Sequence, residues 1–268
     1  MLKNHLIDIM RILAIRAGKE IMKIYNSGDL NVRKKNDASP ITVADEAADA
    51  LISAGLRKHF PEIALVTEEQ AISHFKPHST FLIVDPLDGT KEFINRRDEF
   101  TVNIAFVENG VPTLGTVYAP AINRLFYTLT DETAVEELAP FSETKLGRQR
   151  PLQAAKPNNN SLVVVASKSH CDQATDNYIS SYKVKDRKNA GSSLKFCLLA
   201  TGEADFYPRL GHTMEWDTAA GDALLRAAGG KVVNFETLKP LEYGKIGYRN
   251  PFFIALAHGV TLLQDSQN

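Results

Sequence analysis

The chain is 268 residues long, 44% hydrophobic and 24% charged, which is enough apolar material to bury a core in one large domain or two closely packed halves and excludes a disordered chain. Its 31 Lys and Arg against 32 Asp and Glu leave a net charge of −1, so a sequence-independent grip on nucleic acid has no bulk electrostatic support and any phosphate binding has to be local. The two cysteines, Cys171 and Cys197, lie far apart with no CxxC or CxxH neighbour, which argues against a zinc finger or a disulfide framework and suits a reducing cytoplasm.

In chain order, the first expected element is a helix over residues 6–24. Leu6, Ile9, Met10, Leu13, Ala17, Ile21 and Ile24 recur at helical spacing. Asp8, Arg11, Arg16, Lys19 and Glu20 interrupt the run that a signal peptide or a membrane span would need, so the segment reads as an amphipathic helix docked on a core. A polar loop over 26–40 leads to a second helix over 43–60, with Thr42 placed to cap it. Strand-like runs follow over 63–67, 80–85, 101–107, 113–119 and 124–128, and Glu108-Asn109-Gly110 supplies a hairpin turn between the third and fourth. Residues 1–150 therefore read as an α+β half with a mostly antiparallel sheet.

Pro151, Pro157 and the run Asn158-Asn159-Asn160 place a boundary within 149–161. Beyond it a strand over 162–167, helices over 173–182 and 193–201, a strand over 204–207, a helix over 217–228 and strands near Val232 and Ile254 alternate, so 151–268 reads as an α/β half.

The strongest chemical signal is Asp85-Pro86-Leu87-Asp88-Gly89-Thr90, which ends the apolar run Phe81-Leu82-Ile83-Val84. Two acids three residues apart, with Pro86 fixing its own dihedral and Gly89 free to take φ > 0, form a turn in which both carboxylates face one point. Such carboxylates repel unless a cation sits between them. Taken alone, the hexapeptide also suits an ordinary surface turn. Glu68 and Glu69 follow the strand over 63–67 just as Asp85 follows its own, so both groups project from one sheet edge. Asp45 and Asp217 fall near helix starts, where helix-dipole placement explains either one singly. Acids at two strand ends and two helix starts, answered within their motifs only by Lys91, point instead to a cluster for hard cations. Mg²⁺ takes oxygen ligands and pairs with phosphate substrates; no EF-hand loop favours Ca²⁺, and no grouped His and Cys favour zinc.

Together with Trp216-Asp217-Thr218-Ala219-Ala220-Gly221, these motifs resemble the signature set of the inositol-monophosphatase-like phosphatases, in order and over nearly the whole chain. Ser39-Pro40-Ile41-Thr42-Val43-Ala44-Asp45, Lys91-Glu92-Phe93 and Gly191-Ser192-Ser193-Leu194-Lys195-Phe196 resemble the CysQ-type 3′(2′),5′-bisphosphate nucleotidases more than the inositol phosphatases. The resemblance implies a layered αβαβα sandwich with its metals between the halves. It also implies Mg²⁺-dependent removal of the 3′-phosphate from adenosine 3′,5′-bisphosphate, or from 3′-phosphoadenylyl sulfate, with sensitivity to Li⁺. An inositol or sugar monophosphatase is the nearest competing expectation. A non-catalytic nucleotide or metal sensor is the competitor of another class, although such a sensor would normally lack a ligand or Thr90.

By the same resemblance, Glu68, Asp85 and the Leu87 carbonyl hold one Mg²⁺, Asp85, Asp88 and Asp217 hold a second, and a third has room near Glu68 and Asp45. Thr90, with Glu68 or Asp45, orients and deprotonates the attacking water. Leu87, Asp88, Gly89, Thr90 and Asp217 surround the reacting phosphate. Ser192 and Lys195 receive a second, non-reacting phosphate, His170 touches the adenine, and Arg209 is a further phosphate contact. Without the resemblance, Ser192 reads as an N-cap, Lys195 as a solvated side chain, and His170 and Arg209 as surface residues. Two departures from the pattern, Asp222 and Lys168, fall outside the metal set. The expected partner is a small nucleotide, for a monomer or homodimer in the cytoplasm or at the periphery of the inner membrane, with no nucleic acid and no integral membrane segment.

Overall fold

A computed structural model describes residues 2–28, 30–34, 40–167 and 173–263. The first expected helix is α1 (Leu2–Ser27), and α2 (Val43–His59) follows a two-residue ladder of β1 (Arg33–Lys34) with β2 (Pro40–Ile41). Thr42 caps α2 as its residue type predicts. Its hydroxyl accepts from the Ala44 amide at 3.2 Å, while Asp45 Oδ2 accepts from the Thr42 amide at 2.7 Å.

Seven strands then form one sheet whose spatial order is its chain order: β3 (Ala64–Thr67), β4 (Phe81–Asp88), β5 (Thr101–Glu108), β6 (Val111–Ala119), β7 (Arg124–Thr128), β8 (Ala134–Leu138) and β9 (Gln149–Pro151). Only β3 and β4 run parallel. The short helix α3 (Thr90–Ile94) sits between β4 and β5. The expected hairpin turn joins β5 to β6, with Asn109 at φ 53° and Gly110 at φ 78°.

A second sheet, in the order β11, β10, β12, β14, β13, is built from β10 (Leu162–Ser167), β11 (Val184–Ala190), β12 (Phe206–Arg209), β13 (Lys231–Asn234) and β14 (Phe253–Leu256). With it come α4 (Gln173–Ser180), α5 (Leu194–Ala200) and α6 (Ala219–Ala227). The alternation along β4 shows how the layers are filled. Leu82 and Val84 join α1 and α2 in one core, while Phe81 and Ile83 join α5 and α6 in another. Leu162, Val164 and Ala166 of β10 point away from that central layer, toward Ile179 of α4. The result is the αβαβα sandwich that the motif resemblance implies.

Three strands escape the hydrophobic pattern because their charges are answered from far away in sequence. The β8 residues Glu136 and Glu137 are buried, Glu136 against Arg124 and Arg150, and Glu137 against Arg11. Arg11, which reads in the sequence as an interruption on a polar helix face, is instead 3% exposed and holds Glu137 through two contacts of 2.6 Å. β11, with Lys185-Asp186-Arg187-Lys188 at its centre, is a charged sheet edge, and β9 is only three residues long.

The small residues after Trp216 also have a packing cause. A Cβ on Gly115 would lie 2.4 Å from the Ala220 carbonyl oxygen, and one on Gly221 would lie 2.5 Å from Phe196 Cγ. Helix α6 is thus pressed between β6 and α5 with no room for larger side chains. The helix expected over 217–228 is shorter at its start: Glu215–Asp217 form a single 3₁₀ turn, and α6 begins at Ala219. Among the described residues, no helix is long and apolar enough to cross a membrane.

Candidate active site

Parallel pairing places the first two acids together. Thr67 stands opposite Val84, and the Glu68 amide donates to the Val84 carbonyl at 3.0 Å, so Glu68, just past the end of β3, comes beside Asp85 within β4. The turn expected at Asp85 to Thr90 is a bulge in a continuing strand. β4 runs on through Asp88, and Asp85 and Asp88 face Asn103 and Thr101, with two residues between them on β4 against one on β5. Gly89, at φ 94°, then starts α3 as its residue type requires.

Asp217 arrives from the other half of the chain. The Met214 amide donates to its Oδ2 at 2.7 Å, and the fully buried Glu215 ties the same turn down by accepting from the Gly244 and Lys245 amides at 2.6 and 3.0 Å. One carboxylate oxygen each from Glu68, Asp85 and Asp217 then lies within 4.8 Å of the others.

This arrangement is costly without a cation. Burial, then the charges of Asp88 and Glu68, push the Asp217 carboxyl well above its ordinary range. Burial likewise pushes Asp88 up to about 6, against the opposing pull of Lys195 and hydrogen bonds from Asn103 and Ser193. Converging carboxylates with no soft ligand fit a hard, oxygen-seeking divalent cation. The Leu87 side chain is buried in the core, while its carbonyl accepts from Thr90 Oγ1 at 3.3 Å.

Thr90 Oγ1 also donates to Asp45 Oδ1 at 3.0 Å, which selects Asp45 as the partner of Thr90 in this geometry. Asp45 therefore serves two elements: its other oxygen closes the cap of α2. Burial raises its carboxyl above the ordinary value despite the hydrogen bonds from Thr42 and Thr90, which makes it a stronger proton acceptor.

Glu68, Asp85, Asp88, Thr90 and Asp217 line a cleft of about 550 Å³ that Lys195 and Arg209 line as well. Lys195 is neither solvated nor exposed. It is 5% exposed, its ammonium donates to the Ser192 and Ala190 carbonyls at 2.5 and 3.5 Å, and it lies 5.4 Å from the Tyr207 ring centroid. Burial lowers its pKa to about 8, against the pull of Asp88. Ser192 precedes the helix rather than capping it: it has φ 46°, and its buried hydroxyl meets no hydrogen-bond partner among the described residues. Arg209 is 8% exposed and donates to the His212 carbonyl at 3.1 Å while lining the same cleft. His170 and Lys168 lie outside the described residues. Asp222 is buried against Arg226 and the Tyr243 hydroxyl, away from the carboxylate cluster.

Sequence reasoning passed over Asn103 and Ser193. Asn103 Nδ2 donates to Asp88 Oδ2 at 3.3 Å and to Ser193 Oγ at 2.9 Å, and Ser193 Oγ donates to the Asp217 carbonyl at 2.7 Å. The missed signal was an amide in the middle of the otherwise apolar strand Val102 to Val107, a polar residue at a core position. His74 was also missed. It stacks on Trp216 at 4.7 Å between centroids, and its Nε2 bonds the Thr67 carbonyl at 2.7 Å, next to Glu68.

The chain matches the model of the Inositol monophosphatase family over residues 3–252. It is 43% identical to the 3′(2′),5′-bisphosphate nucleotidase CysQ of Buchnera aphidicola, over 82% of this chain and 81% of that one. To the protein of the same name from Escherichia coli K12 it is 41% identical, over 90% and 95%. Among solved structures, CysQ from Bacteroides thetaiotaomicron superposes with a TM-score of 0.81 at 35% identity, covering 95% of this chain and 97% of that one. An inositol monophosphatase from Anabaena shares the fold at a TM-score of 0.74 and 22% identity, over 96% and 92%.

Proposed function

The chain belongs to the inositol monophosphatase family, and from that premise we propose that it removes the 3′-phosphate of adenosine 3′,5′-bisphosphate to leave AMP, using Mg²⁺ held by Glu68, Asp85, Asp88 and Asp217. One observation carries this reading: the cleft lined by four carboxylates is lined also by the buried cation of Lys195 and by Arg209. A substrate with one phosphate has no use for those buried cations beside the metal cluster, while a bisphosphate answers both.

In this reading the amides of Gly89 and Thr90, at the start of α3, receive the reacting phosphate. Thr90 accepts the proton of the attacking water as its own hydroxyl proton passes along the 3.0 Å contact to Asp45. Bound Mg²⁺ supplies the acidity of that water and offsets the charge that builds on the leaving ribose oxygen. Asn103 holds the Asp88 carboxylate in place, and Ser193 holds the backbone at Asp217. Lys195 and Ser192 orient the nucleotide through its 5′-phosphate, so that the 3′ bond is the one presented.

The test is a substrate panel with Mg²⁺: adenosine 3′,5′-bisphosphate, adenosine 3′-monophosphate and inositol 1-phosphate. The bisphosphate should give the highest kcat/KM, and Li⁺ should inhibit more than Na⁺ at matched ionic strength. Faster turnover of inositol 1-phosphate would replace this reading by that of an inositol phosphatase.

A further inference from the structure

Two glycine turns close on the same short stretch of backbone. Gly89 starts the helix whose first amides receive the reacting phosphate in the proposed reaction, and a Cβ there would lie 3.2 Å from the Glu99 carbonyl oxygen. Gly191 precedes the turn that carries Ser192 and Lys195, and a Cβ on it would lie 2.5 Å from the same oxygen and 3.0 Å from Glu99 Cβ. In addition, the Gly191 amide donates to Glu99 Oε2 at 3.0 Å. Glu99 itself does not line the cleft.

We propose that Glu99 is a positioning residue that sets the span between the two phosphate sites, and so fixes the preference for a bisphosphate without touching it. The inference rests on the nucleotide reading above and names what tunes its selectivity. The physical reason lies in the strained turn. Ser192 is a non-glycine residue in the left-handed region at φ 46°, a conformation that persists only when its surroundings impose it. Its carbonyl is held by the Lys195 ammonium, and the residue before it by the Glu99 carboxylate. Releasing the Gly191 amide lets Ser192 relax and carries the Lys195 ammonium with it. The carboxylate cluster keeps its own anchors, the Val84 carbonyl for the Glu68 backbone and the Met214 amide for Asp217.

Three variants separate acceptor from charge. Glu99→Ala removes both, Glu99→Asp keeps the charge but withdraws the acceptor by one methylene, and Glu99→Gln keeps an acceptor and removes the charge. Each is assayed with Mg²⁺ for kcat and KM on adenosine 3′,5′-bisphosphate and adenosine 3′-monophosphate. Inhibition by AMP probes the second-phosphate site, and inhibition by inorganic phosphate probes the reacting site. Glu99→Ala and Glu99→Asp should raise the bisphosphate KM and the AMP inhibition constant about 10-fold, while kcat, the phosphate constant and the monophosphate kcat/KM change several-fold less, by the share that reaches Asp88 and Asp217 through Lys195 and Ser193. Glu99→Gln should behave as wild type.

Equal losses on both substrates would make Glu99 a general scaffold residue and overturn the inference. So would a Glu99→Gln variant as impaired as Glu99→Ala, or tighter AMP binding in both uncharged variants, which would show that its charge acts directly on the nucleotide. The two readings fail differently. A wild-type enzyme indifferent to the second phosphate refutes the nucleotide reading and this one with it, whereas a selective Lys195→Met defect beside unaffected Glu99 variants refutes only the role of Glu99.

Discussion

Replacing Lys195 by Met tests the proposed second-phosphate contact with little change of volume. An ammonium has three donors, and here the Ser192 carbonyl takes one at 2.5 Å while Ala190, at 3.5 Å, holds another only loosely, so at least one remains for a ligand. Lys195 is already buried in the folded chain, so the desolvation of this cation has been met in folding and binding a phosphate does not incur it again. A charge-assisted hydrogen bond to that phosphate is worth roughly 1.5–3 kcal/mol, or about a 10- to 150-fold loss of kcat/KM for adenosine 3′,5′-bisphosphate on its removal. Lys195 also pulls on Asp88, so its loss disturbs the carboxylate cluster to some degree on every substrate. The measurement is therefore a ratio: kcat/KM of wild type over variant for the bisphosphate, divided by the same quantity for adenosine 3′-monophosphate, at saturating Mg²⁺. The expected ratio is at least about 10, and a ratio near 1 would show that Lys195 serves the carboxylates and not a second phosphate.

Asp217→Asn should cost at least about 100-fold in kcat/KM yet stabilise the protein in chelator, because it removes one of the charges that burial and Asp88 make unfavourable; thermal unfolding with and without Mg²⁺ reads both, and an unchanged Mg²⁺-induced rise in Tm would refute the ligand assignment. Thr90→Ala should lower kcat by about 10²- to 10⁴-fold while Thr90→Ser, which keeps the donor to Asp45, retains most of it; equal loss in both variants would exclude the hydroxyl as the proton carrier. Arg11→Met should destabilise by about 3–5 kcal/mol, because it strands Glu137 at 0% exposure, and adding Glu137→Leu should recover most of that in urea titrations. Burial pushes the Glu137 carboxyl up, but hydrogen bonds from Arg11, Gly147 and Tyr127 outweigh it and hold the group below its ordinary 4.5. Its stabilising share is therefore complete above about pH 4.5 and lost as pH falls through the lower folded value, so the acid limb of stability should be shallower in Glu137→Gln than in wild type.

Apart from Asp217, the carboxylates proposed to hold the metal are a local matter, and the chain states them locally. Asp85 and Asp88 flank Pro86 on an apolar strand, Glu68 ends the strand before it, and Gly89 occupies the one position of that stretch with φ in the left-handed region. The cap of Thr42 on α2 and the Asn109-Gly110 hairpin were legible for the same reason: each is decided by residues within a few positions of one another. Tertiary structure alone decided how distant charges pair. Glu136 and Glu137 make β8 look unlike a core strand until Arg124, Arg150 and Arg11 arrive from elsewhere in the chain, and no local pattern records that meeting. Folding likewise turned Lys195 from an unremarkable lysine on a short helix into a buried cation, chose Asp45 as the partner of Thr90, and brought Glu99 against Gly191, 92 positions away. Short-range chemistry is written in neighbouring residues, whereas burial and the contacts that shift a charge depend on which surfaces the layers press together.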